Sequence, residues 1–251
     1  MNHPTRRHPM VKSADRVFEI LELFERERRS MRVAEIAQQL NLPQSSVSML
    51  LKTLVERGYM DFDPQGRGFC PSVRVAFMGE WIAQAPGQSR SLQDALHELA
   101  ARTGEKVLLG RQSGLFVQYV STVEPVGVRQ LRVPPGTLRP LHRCAIGIVL
   151  LSQLEDEQIR QLLHRYNALC AKTGGARADI ERALRSAESA RRQGYYESAE
   201  LATPGAGAIA TLLPTCVRGQ RLALGVAAPT ARLHQHRSGF LPAVLAAARL
   251  C

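Results

Sequence analysis

The stretch NLPQSSVSMLLKTLVERGYM, residues 41–60, predicts an amphipathic helix with an unusual polar side. Its apolar positions recur at helical spacing and predict a buried stripe: Val47, Leu50, Leu51, Leu54 and Val55. At about 100° per residue, the residues that cluster opposite this stripe are polar or flexible: Ser45, Met49, Lys52 and Glu56. Serine is a poor helix former. Several serines at the start of this helix therefore indicate that its polar surface has a functional role.

The surrounding elements explain what the surface is for. Ser13 is a candidate N-cap for a first helix with an apolar stripe through Phe24. A second short helix, VAEIAQQL, is separated from the third by Asn-Leu-Pro, and proline suits only the first turn of the next helix. Two extended runs, GYMDFD and RGFCPS, then flank a turn with Pro64 and Gly66. This order predicts a winged helix-turn-helix over residues 1–71.

A helix that enters the DNA major groove needs an apolar inner side and short polar groups on its outer side. We expect Ser45 and Ser46 to contact phosphate, because free backbone N–H groups at a helix start assist them. Gln44, Ser48 and Met49 are the candidates for base discrimination. The expected cationic contacts come from the third helix, the wing and a basic arm: Lys52, Arg67, Arg6, Arg7 and Lys12. Two alternatives remain, an exposed helix end that merely tolerates serine and a winged helix that binds protein.

Composition constrains the partner less than the motif does. The 251-residue chain has a formal net charge of +11, yet residues 1–80 carry only +2 and residues 81–251 carry +9. Only four of the 33 cations are lysines, so an arginine-rich genome could account for much of the excess. The five cysteines are odd in number and form no CxxC pair, which favours a reducing cytoplasm over disulfides or zinc. We expect no secretory signal and no membrane span.

Several segments together resemble the IclR family of bacterial transcription regulators. They include SADRVFEILELF, VAEIAQQLNLPQSSVSMLLKTLVERGYM, PPGTLRPLHRCAIGIVLL and RLALGVAAP, in the family's order. The resemblance implies an α+β chain in which a GAF-like effector domain follows the winged helix. It also implies a homodimer or a dimer of dimers (a tetramer) on partly palindromic promoter DNA, with affinity controlled by a small organic effector. The chain departs from the family at Gln44 and Met49, where relatives often carry basic residues.

Beyond the wing, residues 72–86 predict a linker helix that Pro86-Gly87 ends. Residues 87–251 then predict an α+β domain, because strands and helices follow one another without regular alternation. The resemblance implies that this domain is the effector domain. SLQDALHELAARTG predicts a helix with a Ser91–Asp94 capping box. KVLLG, LFVQYV, VGVRQLRV, GAIATLLP and RLALGVAAP predict strands, LHRCAIGIVLLSQL a buried helix, and residues 238–250 a terminal helix.

The resemblance also implies which residues line an effector pocket. They are Ala145, Ile146, Ser198, Ala199, Ala208, Gly225 and Ala227. Relatives that bind small carboxylates carry cysteine or serine at the positions of Ala208, Gly225 and Ala227. Because a buried carboxylate needs donors, their loss predicts a larger, apolar or aromatic effector. We expect Arg129, Arg132 or His142 to supply its polar contact. The alternative is a pocket filled by the protein's own side chains.

The sequence supports a catalytic cysteine or a metal site less well than the regulator hypothesis. His142, Cys144 and Glu197 could form a cysteine hydrolase, but no oxyanion-hole motif surrounds Cys144. His234 and His236 lack a nearby ligand set, so a solvated loop is the better prediction than a metal site. We expect no cofactor, no metal and no catalysis. The rival functions are a small-molecule enzyme with a winged-helix appendage and a winged-helix protein-interaction module.

Overall fold

The computed structural model describes residues 11–63, 67–75, 78, 92–125, 133–217 and 220–250. The chain divides into two compact units, Met1–Pro86 and Gly87–Cys251. Within the described ranges, no helix combines the length and the apolar character that crossing a bilayer requires.

The first unit is a winged helix-turn-helix, as the sequence predicts. Its elements are α1 (Lys12–Glu27), α2 (Val33–Leu40), α3 (Gln44–Glu56), β1 (Met60–Asp63) and β2 (Gly68–Pro71). The strands pair antiparallel from Met60↔Pro71 to Asp63↔Gly68 and form the predicted hairpin. A bridge between Met31 and Phe69 ties this hairpin to the segment before α2. The residues of its turn, 64–66, lie outside the described part of the chain.

One core joins the three helices of this unit. Ile20, Leu23 and Phe24 of α1 pack with Ile36 of α2 and with the apolar stripe of α3. The predicted N-cap at Ser13 is wrong, because α1 begins at Lys12, one residue before Ser13. The N-cap residue is Val11, and no side chain caps the helix there. At α2 the Glu35 carboxylate accepts from the Arg32 backbone N–H at 2.7 Å, and this bond lowers the pKa of Glu35. This bond fixes where α2 begins.

The second unit is an α+β domain, which confirms the predicted fold class. Within the described residues of this unit, six strands form one sheet, antiparallel at every pairing, in the order β5-β4-β3-β8-β7-β6. The strands are β3 (Lys106–Ser113), β4 (Phe116–Val123), β5 (Leu138–Pro140), β6 (Tyr195–Ala199), β7 (Ala206–Val217) and β8 (Gln220–Pro229). The helices are α4 (Leu92–Thr103), α5 (Ala145–Leu151), α6 (Asp156–Thr173), α7 (Ile180–Gln193), α8 (Thr230–Gln235) and α9 (Arg237–Arg249).

The sheet lies between two layers of helices. Along β3, Leu108 faces the core under α5, α6 and α7, whereas Val107 and Leu109 face the core under α4, α8 and α9. This alternation follows from the two-residue period of a strand. All seven residues of α5 are buried, as predicted for the apolar LHRCAIGIVLLSQL segment, although Leu141–Arg143 form a separate 3-10 turn.

The second unit also contains elements that the sequence did not predict, and some predicted elements fall outside the described residues. The sequence reading omitted β5, β6 and α8. Both histidines are exposed, as predicted, and His236 lies in the turn after α8, but His234 lies in α8 itself, so the loop predicted there is wrong. The strand predicted at VGVRQLRV falls mainly on residues 126–132, which are not described; Ser91 and most of the linker 72–86 also lie outside the described ranges.

Asn167 holds the connection between α6 and α7 in place. Its buried side-chain amide donates to the Ala178 carbonyl at 3.0 Å and accepts from the Ala178 backbone N–H at 2.6 Å. Asp179 then caps α7 by accepting from the Arg182 N–H at 3.0 Å. One side chain therefore satisfies both polar groups of Ala178 and sets the path of the loop into α7.

We predict that Asn167→Ala destabilises the second unit by about 1–3 kcal/mol, because it leaves a buried donor and acceptor without partners. Urea unfolding followed by circular dichroism measures the change. Gln161→Ala on the exposed side of the same helix is the matched control and should shift stability by less than about 0.5 kcal/mol. Equal effects of the two substitutions would contradict this role of Asn167.

Candidate nucleic-acid interface and ligand cavity

Helix α3 separates its buried and exposed sides as a groove-binding helix requires. Val47, Leu51 and Leu54 are buried in the core of the first unit. On the opposite side Met49 is 69% exposed. The other exposed residues of this helix face are Gln44, Ser45, Lys52 and Glu56. The surface predicted from residue spacing is therefore physically accessible.

The start of α3 is anchored by a contact that the sequence did not reveal. The Arg16 guanidinium of α1 donates to the Ser46 hydroxyl at 2.9 Å. Ser46 is half-buried and Ser48 also lies partly under its neighbours, so Ser45 is the most accessible serine of the three. Arg16 places a cation beside the N-terminus of α3, where backbone N–H groups already favour a phosphate. The two residues are 30 positions apart, which is why local periodicity could not pair them.

The predicted arm and wing are described only in part. Lys12 is exposed in the first turn of α1, while Arg6 and Arg7 lie outside the described residues. Arg67 is exposed at the start of β2 and has a left-handed backbone with φ of 50°. Non-glycine residues adopt that conformation rarely, so the wing turn imposes a specific direction on Arg67.

In the second unit, six of the residues predicted for the effector pocket line one cavity of about 390 Å³. They are Ala145, Ile146, Ser198, Ala208, Gly225 and Ala227. Strand register brings them together, since Ser198, Ala208, Ala227 and Lys106 are consecutive partners across four neighbouring strands. The small residues of this row form the floor of the cavity, and the start of α5 forms its wall.

Two glycines set the height of α5 above this floor. A Cβ atom at Gly110 would lie 2.9 Å from Ile146 Cγ2, and one at Gly225 would lie 3.3 Å from Ile146 Cγ1. Gly110 and Gly225 lie on the paired strands β3 and β8, so Ile146 rests between them. The cavity is therefore bounded by a tight backbone contact, and the side chains of the described residues leave it open.

The polar groups at this cavity differ from those predicted. Lys106 is only 4% exposed, and its Nζ lies 3.4 Å from Glu124 Oε1. Half-buried Arg139 also lines the wall. The sequence reading missed both, although Lys106 shares the period-two side of β3 with Leu108, a signal that a strand assignment could have used.

Four of the predicted effector residues lie elsewhere or are not described. Ala199 and His142 do not line this cavity but a second cleft on its far side. For Ala199 the reason is strand alternation, which turns it away from the side that Ser198 occupies. His142 belongs to the 3-10 turn that precedes α5 and not to the helix itself. Arg129 and Arg132 fall outside the described residues.

The arrangement around Cys144 is unsuited to nucleophilic catalysis. Burial raises the pKa of the Cys144 thiol to about 11, so the thiol stays protonated at neutral pH. Burial also raises the pKa of Tyr119, which shares the cavity with it. His142 lines the other cleft, and Glu197 accepts from the Arg237 guanidinium at 2.6 Å. The three groups therefore do not form a hydrolase constellation.

A wider cleft of about 450 Å³ lies at the other helical layer, between α4, α8 and α9. Its lining is more polar, with Arg102, Arg232 and His236, and none of the predicted effector residues contributes to it. Arg232 is moreover held by buried Glu105 at 2.5 Å. The cavity beside α5 is the better ligand candidate, because it is apolar with a few polar groups converging on it.

Comparison with known proteins decides the family. Residues 13–64 match the IclR helix-turn-helix domain, and residues 89–251 match the bacterial transcriptional regulator IclR C-terminal domain. The chain belongs to the IclR family. It is a DNA-binding transcription regulator, as the curated members it resembles are.

Those relatives are distant in sequence but extensive in coverage. The HTH-type transcriptional regulator BhcR of Paracoccus denitrificans is 28% identical over 95% of this chain and 85% of its own length. The TsaQ1/TsaQ2 regulator of Comamonas testosteroni is 31% identical over 75% and 68%. Among solved structures, an IclR-family regulator from Alicyclobacillus acidocaldarius has a TM-score of 0.59 and 24% identity, covering 96% of this chain and 97% of its own.

His142 provides a prediction about pH. Burial, and secondarily Arg143, lower its pKa to about 4, whereas the unfolded chain protonates near pH 6.5. Between those values the unfolded chain binds more protons, so the stability contributed by His142 falls as pH drops through about 6.5 to 4. Nuclear magnetic resonance titration of its imidazole should give a midpoint near pH 4.

His142→Phe is the matched variant, because it keeps a ring against Tyr166, whose centroid lies 4.7 Å away. It should reduce the dependence of the thermal midpoint on pH between about 4 and 6.5. A His142 midpoint close to 6.5 would show that the ring is hydrated in the folded protein.

Proposed function

We propose that this regulator binds a two-fold symmetric promoter site as a homodimer and that an aromatic or apolar monocarboxylate controls its affinity. The observation that carries the proposal is the apolar cavity with Lys106 and Arg139 in its wall. The dimer is inferred from the family. Because its DNA partner resides there, we also infer that the protein acts in the cytoplasm, and we assign it no catalytic role.

On DNA, two copies of α3 would occupy successive major grooves about 34 Å apart. Lys52 contributes the sequence-independent contact, because it is the cation on the exposed side of α3. Gln44, Ser48 and Met49 contribute the discrimination, with an amide, a hydroxyl and an apolar contact to base edges. Ser45, Ser46, Arg67, Lys12 and the arm residues Arg6 and Arg7 position the protein on phosphate.

We predict that Lys52→Ala weakens binding to all duplexes alike and reduces the slope of log affinity against log salt by about one. Gln44→Ala should instead relax choice at particular base pairs, because an amide can read adenine in the major groove. Gel shifts on randomised variants of the chain's own upstream DNA measure both effects. Lys172→Ala on exposed α6 is the matched lysine control. If both α3 variants lose affinity uniformly, Gln44 is not a reading residue.

In the cavity, the small residues of the strand row leave room for an aromatic ring. A carboxylate on that ring would meet Lys106 and Arg139, which replaces the water that the anion loses on burial. Because Glu124 already neutralises part of the Lys106 charge, the site favours one negative group over two. Small keto acids would leave most of the 390 Å³ without contacts.

We predict that benzoate or phenylacetate binds the full-length protein more tightly than glyoxylate or pyruvate in isothermal titration. Arg139→Gln should weaken aromatic-acid binding by about tenfold or more, since it removes a charge-assisted contact. Ala208→Leu should abolish binding by filling the cavity floor. Arg102→Gln, in the wider cleft, is the control and should have no effect. Tight glyoxylate binding that survives Ala208→Leu would refute this assignment.

A further inference from the structure

A second cleft of about 340 Å³ lies against the outer side of the cavity wall. Its charged and titratable lining comes from the 3-10 turn, the loop before α7, the start of α7 and the end of β6: His142, Arg143, Arg177, Asp179, Arg182 and Glu200. Three guanidinium groups thus converge on one concave surface from segments that are far apart in the sequence.

Within the described ranges, two of the three arginines of this cleft are not paired with carboxylates in the way that nearby arginines are. On the same pair of helices, Arg160 pairs with Glu181 and Arg191 pairs with Glu188. Among the described residues, by contrast, Arg177 and Arg182 form no ion pair. The Asp179 carboxylate is engaged as the cap of α7, where it accepts from a backbone N–H. With three arginines against the two carboxylates of Asp179 and Glu200, the lining keeps a formal net charge of +1.

One further polar group in this lining has no partner. The Nδ1 atom of His142 is buried, and among the described residues it has no hydrogen-bond partner. The ring is held edge-on against Tyr166, so it cannot turn freely toward solvent. A buried polar atom without a partner costs free energy, so a ligand-induced shift of this segment that gave Nδ1 a partner would be favourable.

The two cavities share their walls. In the segment before and at the start of α5, His142 and Arg143 line the second cleft, whereas Cys144 and Ala145 line the effector cavity. In the segment that leaves β6, Ser198 and Ala202 line the effector cavity, whereas residues 199–201 line the second cleft. A movement of either segment therefore changes both cavities.

We propose that the second cleft binds a small multivalent oxyanion, and that the anion shifts the shared segments and so modulates the effector cavity. Guanidinium groups pair with carboxylate and phosphate oxygens through two parallel hydrogen bonds, and several of them favour a ligand with more than one negative group. The inference goes beyond the proposed function, because anion binding here does not require that any effector occupy the first cavity.

The binding test is isothermal titration of the full-length protein with citrate and, separately, with inorganic phosphate at constant ionic strength. The double variant Arg177→Ala, Arg182→Ala should bind either anion at least about tenfold more weakly, because it lacks two of the guanidinium groups that would pair with the anion. Both side chains are exposed, so their loss should leave the fold intact. Arg185→Ala, exposed on the same helix but outside the cleft, should change binding by less than about twofold. Preference for one anion distinguishes an organic polycarboxylate from phosphate as the source.

The coupling test follows alanine methyl groups by nuclear magnetic resonance during the same titration. The anion should shift Ala176 and Ala199 in the cleft and also Ala145 and Ala202 in the effector cavity, but not Ala248 under the other helical layer. No binding of either anion, or equal loss in Arg185→Ala, would overturn the site. Binding that leaves Ala145 and Ala202 unshifted would overturn the coupling.

Discussion

The contact of Ile146 with two glycines on neighbouring strands determines the shape of the ligand-binding unit. Gly110 and Gly225 remove the side chains that would otherwise hold α5 away from the sheet. Ile146 can then contact the backbone of β3 and β8, which fixes the start of α5 and the 3-10 turn before it. Interiors pack too densely to absorb an added methyl group without movement. A larger residue at either glycine would therefore displace the wall that both cavities share.

The cavity beside this contact is mainly apolar, and its charged groups are Lys106 and Arg139. The alanines of the row from Ser198 to Ala227 provide volume without side-chain donors, and Ser198 adds a single hydroxyl, so a ligand there gains mainly by excluding water from its apolar surface. Lys106 enters this row from β3, where it is almost fully buried beside Glu124. A buried cation is retained only when it is paired, and the pair leaves limited positive potential for a ligand carboxylate.

The parts of the structure that the sequence predicts well are those governed by local periodicity. The exposed side of α3 follows from the spacing of Val47, Leu51 and Leu54 alone. The burial of α5 follows from its own uninterrupted apolar sequence. The contact of Arg16 with Ser46 could not be predicted, because the two residues are 30 positions apart, and the place of Arg139 depends on the pairing of β5 with β4. Strand alternation could have placed Lys106 on the side of Leu108, but not its pairing with Glu124. The placement of His142 and Ala199 in the second cleft depends on a turn type and on strand alternation, which a motif comparison with relatives does not encode.

Positive charge is distributed unequally between the two units of the chain. The exposed side of α3 offers one lysine and is partly offset by Glu56, so most of the counterion release on DNA would come from cations outside this helix face, such as Lys12 and Arg67. In the dimer that we propose, the second contact on one site benefits from a high effective concentration. Most of the positive charge lies instead in residues 81–251, and part of it lines the cleft beside the effector cavity. In the function that we propose, the arginines of this half bind small anions, while recognition of DNA depends on the geometry of a weakly charged helix that the dimer presents twice.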